Sequence, residues 1–93
     1  MTKKFRKKPI EIEAVKFTDE NKEQVYSWAL SIQMNIKAMC DNRNQPILTI
    51  PTLEGDMICA IGDYLIVEPF PTDWRKLYPC KASIFEQTYE EII

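Results

Sequence analysis

Three short apolar runs in the middle of the chain constrain its fold more than any other feature. They are ILTIPTL, MICAI and YLIV, at residues 47–53, 57–61 and 64–67. The connections between them contain only three and two residues, whereas a parallel crossover connection needs about a dozen. The spacing therefore predicts that the three runs form an antiparallel meander, and it excludes a doubly wound parallel sheet.

Both connections carry a Gly-Asp step, and the chain has no other glycine. Gly55 and Gly62 supply the positive φ that tight turns require, and the following Asp56 and Asp63 can cap such turns locally. Together with Glu54, the same acids also suggest hydrolysis, but hydrolytic carboxylates need a defined separation and a raised pKa. We expect structural glycines and solvated acids at the turn tips.

The flanking segments predict the other elements of the fold. Residues 9–17 alternate between apolar and charged side chains, which is typical of a half-buried strand. Residues 20–33 place apolar side chains on one helical face, after possible N-cap oxygens from Thr18 and Asp19. Strand-like segments follow at residues 36–40 and 77–80. The spacing therefore predicts one helix between strands.

The C-terminal part predicts a second, shorter helix. The sequence SIFE from Ser83 has the spacing of a capping box at a helix start. Phe85 and Tyr89 are four residues apart and should share the inward face of this helix. Residues 89–93 are β-permissive and are expected to end as a strand against the N-terminal one.

Pro51 lacks a ladder donor, so it is expected at an edge, at a bulge or on the wide side of a pair.

The predicted fold class is α+β: a small, mostly antiparallel sheet of about five strands, one packed helix and a short C-terminal helix. A length of 93 residues fits a single domain, residues 1–93, that includes a basic N-terminal arm at residues 1–8. No apolar run approaches the roughly 18 residues needed to cross a membrane, and the N-terminus lacks the features of a secretory signal. We expect a soluble, cytoplasmic protein.

The cysteine and histidine content limits the kinds of catalytic and metal site that the chain can form. The three cysteines are an odd number without close pairing, which favours a reducing compartment. The chain has no histidine, which excludes Ser-His-Asp and Cys-His catalysis and leaves no ligand pattern for zinc. We therefore expect no metal and no cofactor. Cys80, next to Lys81, has either a lowered thiol pKa or, as we favour, a buried and inert thiol.

Charge is distributed unevenly. Five basic residues precede Pro9, so the remainder of the chain carries a net charge of −7. The arm suggests either phosphate binding or a solvated segment that opposes edge-to-edge strand pairing. The acidic body disfavours duplex DNA as a partner. Near the other end, Trp74 with Phe70, Arg75 and Tyr78 suggests either a pocket that stacks a base and pairs a phosphate, or a loop covering the sheet.

Four sequence blocks resemble the successive signatures of a family of small, functionally uncharacterised proteins of phages and prophages of Gram-positive bacteria, related to the Pro-Gly-Asp-Tyr-Gly motif proteins. The blocks are RKKPIEIEAVKFT (6–18), TLEGDM (52–57), IGDYLI (61–66) and YPCKASIFEQTYEE (78–91). The chain departs from the family where Ile61 replaces the proline before Gly-Asp-Tyr and where residues 69–77 replace a short turn. The resemblance implies a phage-encoded accessory protein of the host cytoplasm and transfers no catalytic residues.

Three classes of function are compatible with these features. The first is a non-enzymatic binding module that blocks a host protein or sequesters a small anionic, nucleotide-like ligand. The others are a small carboxylate-dependent hydrolase and a minor virion or assembly component. The missing histidine and the lack of a phosphate-cradling glycine-rich loop favour the first. Oligomeric state is left open, including a homo-oligomer.

The predicted contact surface joins the basic arm to the loop Trp74–Tyr78. Functional contacts concentrate on loops held by a rigid scaffold, and these two segments are the most charged and the most aromatic irregular parts of the chain. The predicted binding residues are Arg6, Lys7, Lys8, Trp74, Arg75 and Tyr78.

Overall fold

The computed structural model describes residues 12–68 and 76–90, which contain six strands and two helices. The strands are β1 (Ala14–Lys16), β2 (Lys37–Cys40), β3 (Pro46–Thr52), β4 (Gly55–Ala60), β5 (Tyr64–Val67) and β6 (Leu77–Cys80). The helices are α1 (Lys22–Ile32) and α2 (Ala82–Thr88). The predicted α+β class is confirmed, with six strands instead of about five. Of the strand predicted at residues 89–93, Tyr89 and Glu90 are described and lie in no strand, and residues 91–93 lie outside the described residues.

The strands form two antiparallel sheets of three, in the orders β1-β5-β6 and β2-β3-β4. The predicted meander is therefore correct for the β3–β4 hairpin and wrong for β5, which does not pair with β4. At the β4–β5 turn the backbone bonds to the end of β1: Gly62 N–H donates to Phe17 O at 2.7 Å, and Phe17 N–H donates to Asp63 O at 2.8 Å. These bonds lie where the chain passes from the sheet that contains β4 into the sheet that contains β5.

The position of β5 explains its continuous apolar sequence. Leu65 and Ile66 are consecutive, so their side chains point to opposite faces of the sheet, yet they are 0% and 1% exposed. Leu65 belongs to the main core. On the other face Tyr64 stacks on Phe85 of α2. Strand β5 is therefore buried on both faces.

The main core lies between the two sheets and α1. Its buried members are Phe17, Val25, Ala29, Ile36, Leu48, Ile50, Cys59, Leu65 and Leu77. Burial of such side chains stabilises the fold by about 1.5–3 kcal/mol for each large one. The predicted apolar face of the first helix is confirmed, since α1 contributes Val25 and Ala29 to this core.

Both predicted helix caps are wrong in detail. The residue before α1 is Asn21, and its side chain accepts a hydrogen bond from Thr18 N–H instead of capping the helix. Asn21 N–H in turn donates to Thr18 Oγ1, so the two residues close a turn before the helix. Helix α2 follows Lys81 without a side-chain cap. Ser83 therefore lies inside the first turn, where it cannot serve as the first residue of a capping box.

Gln33 links the end of α1 to both sheets. It is 2% exposed, and its Nε2 donates to Pro51 O of β3 at 2.9 Å. Its Oε1 accepts from Lys76 N–H at 2.6 Å and from Leu77 N–H of β6 at 2.8 Å. Strand β2 ends before it reaches Pro51, so β3 pairs only with β4 there, as expected for a proline at a local edge.

Gly62 is the basis of the first testable prediction. Its φ is +96°, and a Cβ added there would meet no atom within 4 Å, so the cost of a side chain is backbone strain alone. We expect Gly62→Val to lower the free energy of unfolding by about 2 kcal/mol, because β-branched residues resist positive φ. Urea unfolding measures this. Ala38→Val on the exposed strand β2 is the control and should be nearly neutral. An unchanged unfolding midpoint for Gly62→Val would contradict the strain.

Candidate functional site

The structure locates one residue of the predicted contact surface. Tyr78 lies half-buried on β6. Arg6, Lys7, Lys8, Trp74 and Arg75 lie outside the described residues, so their proximity to Tyr78 stays a prediction. Burial, followed by the neighbouring charge and hydrogen bond of Tyr89, raises the pKa of Tyr78 to about 12. Its hydroxyl therefore stays protonated at neutral pH. Tyr78 belongs to a group of aromatic side chains.

This group, the aromatic cluster, consists of Tyr64, Tyr78, Phe85 and Tyr89. The rings of Tyr64 and Phe85 are stacked, with centroids 3.9 Å apart and planes 9° from parallel. The rings of Phe85 and Tyr89 lie 4.8 Å apart at 34°, which confirms that they share one face of the C-terminal segment. Tyr64 and Tyr78 lie on the same face of the sheet because each occupies the same side as Ile66. Strand register and helical spacing thus assemble the cluster.

A cleft of about 1020 Å³, the α1–α2 cleft, opens beside the aromatic cluster. Its base is formed by residues 12–15, which are the first two residues of β1 and the two residues before it. Gln24, Val25 and Trp28 line it from α1. Phe85 and Tyr89 line it from the C-terminal segment, next to Tyr64. The aromatic side chains therefore form one wall of the cleft and α1 forms the other, with β1 between them. This shape suits an elongated ligand.

The charged side chains lining the cleft are acidic. Among the lining residues that the structure describes, the charged ones are Glu13, Glu86 and Glu90, all exposed. Lys16 is close to one of the lining rings, since its ammonium lies 5.8 Å from the Tyr64 ring centroid. Carboxylates beside aromatic rings attract guanidinium and ammonium groups and repel phosphate. The cleft therefore favours a cationic ligand over the anionic one expected for the arm.

The acids at the two Gly-Asp turns have separate surroundings. Asp63 Oδ2 accepts from Ala60 N–H at 3.0 Å and pairs with the Lys81 ammonium at 3.2 Å. This confirms that Asp63 caps its turn, but the residue is 7% exposed, so the prediction of a solvated acid is wrong for it. The cap and the packing of β5 draw the side chain inward. Glu54 and Asp56, at the other turn, are exposed as predicted.

The cysteines differ in their environments. Cys59 is fully buried, and burial followed by the charge of Asp63 raises its thiol pKa to about 12. Burial and Asp63 also raise the pKa of Cys80, so a thiol activated by Lys81 is contradicted, although Cys80 is only partly buried. Cys40 is exposed. Within residues 12–68 and 76–90, no three Cys, Asp or Glu side chains are placed to share a metal ion.

Sequence reasoning missed most residues of the cleft. Trp28 lies half-buried on α1, where it packs against the main core and also lines the cleft. A signal was present in the C-terminal segment, where Glu86 and Glu90 are four residues apart beside the similarly spaced pair Phe85 and Tyr89. Nothing in the spacing shows that α1 and α2 lie on either side of β1, because that arrangement depends on strand order.

No protein-family model, curated protein or solved structure matches the chain. Neither helix of the described residues is long and apolar enough to cross a membrane. The contacts and charges of the cleft are therefore the basis for assigning a function.

Proposed function

We propose that this protein is a non-enzymatic binding module, encoded by a phage or prophage, that blocks a host protein by holding a basic segment of it in the α1–α2 cleft. The phage origin and action in the host cytoplasm come from the resemblance of the four sequence blocks. The observation that supports the mode of binding is the combination of aromatic rings and carboxylates around one cleft.

The chemistry of the cleft suits lysine and arginine side chains. Their apolar stems can pack against Trp28 and Phe85, while their charged heads reach Glu86 or Glu90 at the rim. A cation over an aromatic ring contributes about 0.5–1 kcal/mol at an exposed site and more when desolvated. An exposed ion pair contributes up to about 1 kcal/mol. Several such contacts are needed, so a segment with more than one basic residue is the expected occupant.

The alternatives have less support among the described residues. A nucleotide-like ligand would depend on Arg6, Lys8 and Trp74, which lie outside them. A carboxylate-dependent hydrolase needs an acid available to substrate, whereas Asp63 is engaged by its own turn and by Lys81. No structural observation favours a virion component.

Native mass spectrometry of tagged protein purified from a Gram-positive host tests the proposal. We expect the wild-type protein to retain a host protein in a defined stoichiometry. Glu86→Lys places a cation in the cleft and should reduce the retained fraction at least tenfold, through charge repulsion with a basic segment. Glu54→Lys is the matched control, because it makes the same charge change at an exposed turn that does not line the cleft.

Three outcomes would contradict the proposal. Equal retention by Glu86→Lys and wild type would place the contact elsewhere. Retention of a small anionic molecule would favour the nucleotide alternative. Turnover of a nucleotide or peptide substrate by pure protein, lost in a folded Asp63→Asn variant, would make the protein an enzyme.

A further inference from the structure

Strand β1 is the edge of its sheet on the side of the cleft. The described strands of this sheet have the order β1-β5-β6, so β1 pairs with β5 on one side. Its other side lies at the base of the α1–α2 cleft, where Ala14 is exposed and lines the cleft. An edge strand presents backbone N–H and C=O groups that can pair with another extended chain.

The backbone hydrogen bonds show which groups of β1 point toward the cleft. Val67 N–H donates to Glu13 O at 2.9 Å, and Phe17 N–H donates to Asp63 O at 2.8 Å. In an antiparallel pair the bonded residues alternate, so the N–H and C=O of Ala14 and Lys16 point away from β5. Lys16 O accepts from Asn21 Nδ2 at 2.9 Å. Both backbone groups of Ala14 and the N–H of Lys16 thus remain directed toward the cleft.

We infer that the occupant of the cleft binds as an extended basic segment that adds a strand to the edge of β1. The inference rests on the proposed function for the charge of the occupant, and on the β1 edge for its conformation. Strand addition provides main-chain hydrogen bonds for affinity and alternating side-chain sites for specificity. With residues 12–15 at the base, the added strand spans about four residues.

The two walls of the cleft match the two sides of an added strand. Successive side chains of a strand point in opposite directions. One set would face Gln24 and Trp28 of α1, and the other set would face the aromatic cluster with Glu86 at its rim. A helical occupant fits less well, because it would cover the Ala14 backbone groups without bonding them, and unsatisfied buried polar groups are costly.

A synthetic peptide with alternating valine and arginine, Ac-VRVRVRV-amide, tests the inference with the full-length protein. We expect it to bind wild type in calorimetry and to slow amide hydrogen exchange at Ala14 and Lys16. Methylation of alternate peptide nitrogens separates the two edges of the peptide. One methylated series should lose at least tenfold in affinity, because it removes the donors that face β1, and the other series should bind as the parent does.

Ala14→Pro is the matching change in the protein. Proline removes the N–H that points toward the cleft and no donor to β5, and proline is tolerated on edge strands in this orientation. We expect Ala14→Pro to fold and to bind the peptide at least tenfold more weakly. If this variant does not fold, the two methylated peptide series decide the question alone.

The outcomes separate this inference from the proposed function. Equal binding by folded Ala14→Pro, or equal behaviour of both methylated series, overturns strand addition. If Glu86→Lys nevertheless loses binding of the parent peptide, the peptide still binds in the α1–α2 cleft, and only its conformation as an added strand is overturned. Slow exchange of the Ala14 amide before peptide is added also overturns strand addition, since the edge would already be paired. Failure of wild type to bind the peptide overturns it as well, while the host-protein measurement independently decides the proposed function.

Discussion

Replacement of Gln33 by methionine is expected to lower the free energy of unfolding by about 3 kcal/mol. Methionine has a similar shape but provides neither the donor to Pro51 O nor the acceptor for Lys76 N–H and Leu77 N–H. A buried donor or acceptor left without a partner costs about 1–3 kcal/mol. The Leu77 bond is buried and the other two are partly buried, so water would compensate only part of the loss.

Urea unfolding of Gln33→Met measures this effect, and Gln87→Met is its matched control. Gln87 is exposed on α2, so the same chemical change there should alter stability by less than about 0.5 kcal/mol. Equal, small effects of both substitutions would contradict the role of Gln33 as the link between the sheets. Because Gln33 holds the end of α1 against β3 and β6, its loss should also shift the helix that forms one wall of the cleft.

Ile66→Ala is expected to lower the free energy of unfolding by about 3 kcal/mol, within the usual range of about 2–5 for a buried isoleucine. Ile66 is 1% exposed but lies on the face of β5 opposite Leu65. Helix α2 packs on that face, where its Phe85 stacks on Tyr64. Truncation removes apolar contacts on that face and leaves a cavity under the aromatic cluster.

The control for Ile66→Ala is Ile58→Ala. Ile58 is also a strand isoleucine but is 55% exposed, so its truncation should cost less than about 1 kcal/mol. Similar small losses for both variants in urea unfolding would mean that α2 does not cover this face. A large loss only at Ile66 would support the aromatic wall of the cleft as a packed, persistent structure.

Several features of the protein are encoded locally and were predictable. The short connections between residues 47 and 67 exclude parallel crossovers, which predicts an antiparallel α+β fold. The only glycines occupy the positive-φ turns at Gly55 and Gly62, because few other residues adopt that backbone without strain. The i,i+4 spacing places Phe85 and Tyr89 together.

Other features depend on competition between alternatives with similar local sequences. The short β4–β5 connection fits a hairpin. However, β5 pairs with β1 instead of β4, and the bonds of Gly62 and Asp63 to Phe17 hold the connection against the end of β1. Pairing with β1 also buries both faces of β5. A hairpin with β4 would not require both faces to be buried. Thr18 and Ser83 resemble helix caps, but α1 begins after Asn21 and α2 after Lys81, and neither helix has a side-chain cap. Local patterns indicate candidates, and tertiary packing selects among them.

The sequence by itself determined the fold class, the turns and the chemistry available to the chain, since these depend on residue types and on spacings of a few positions. It also placed acidic and aromatic residues of the C-terminal segment at i,i+4 spacing. Only the tertiary structure decided that β1 is, among the described strands, an edge of its sheet flanked by α1 and α2, because strand order arises from long-range pairing and burial that single-chain periodicity does not encode. The α1–α2 cleft exists only through that arrangement.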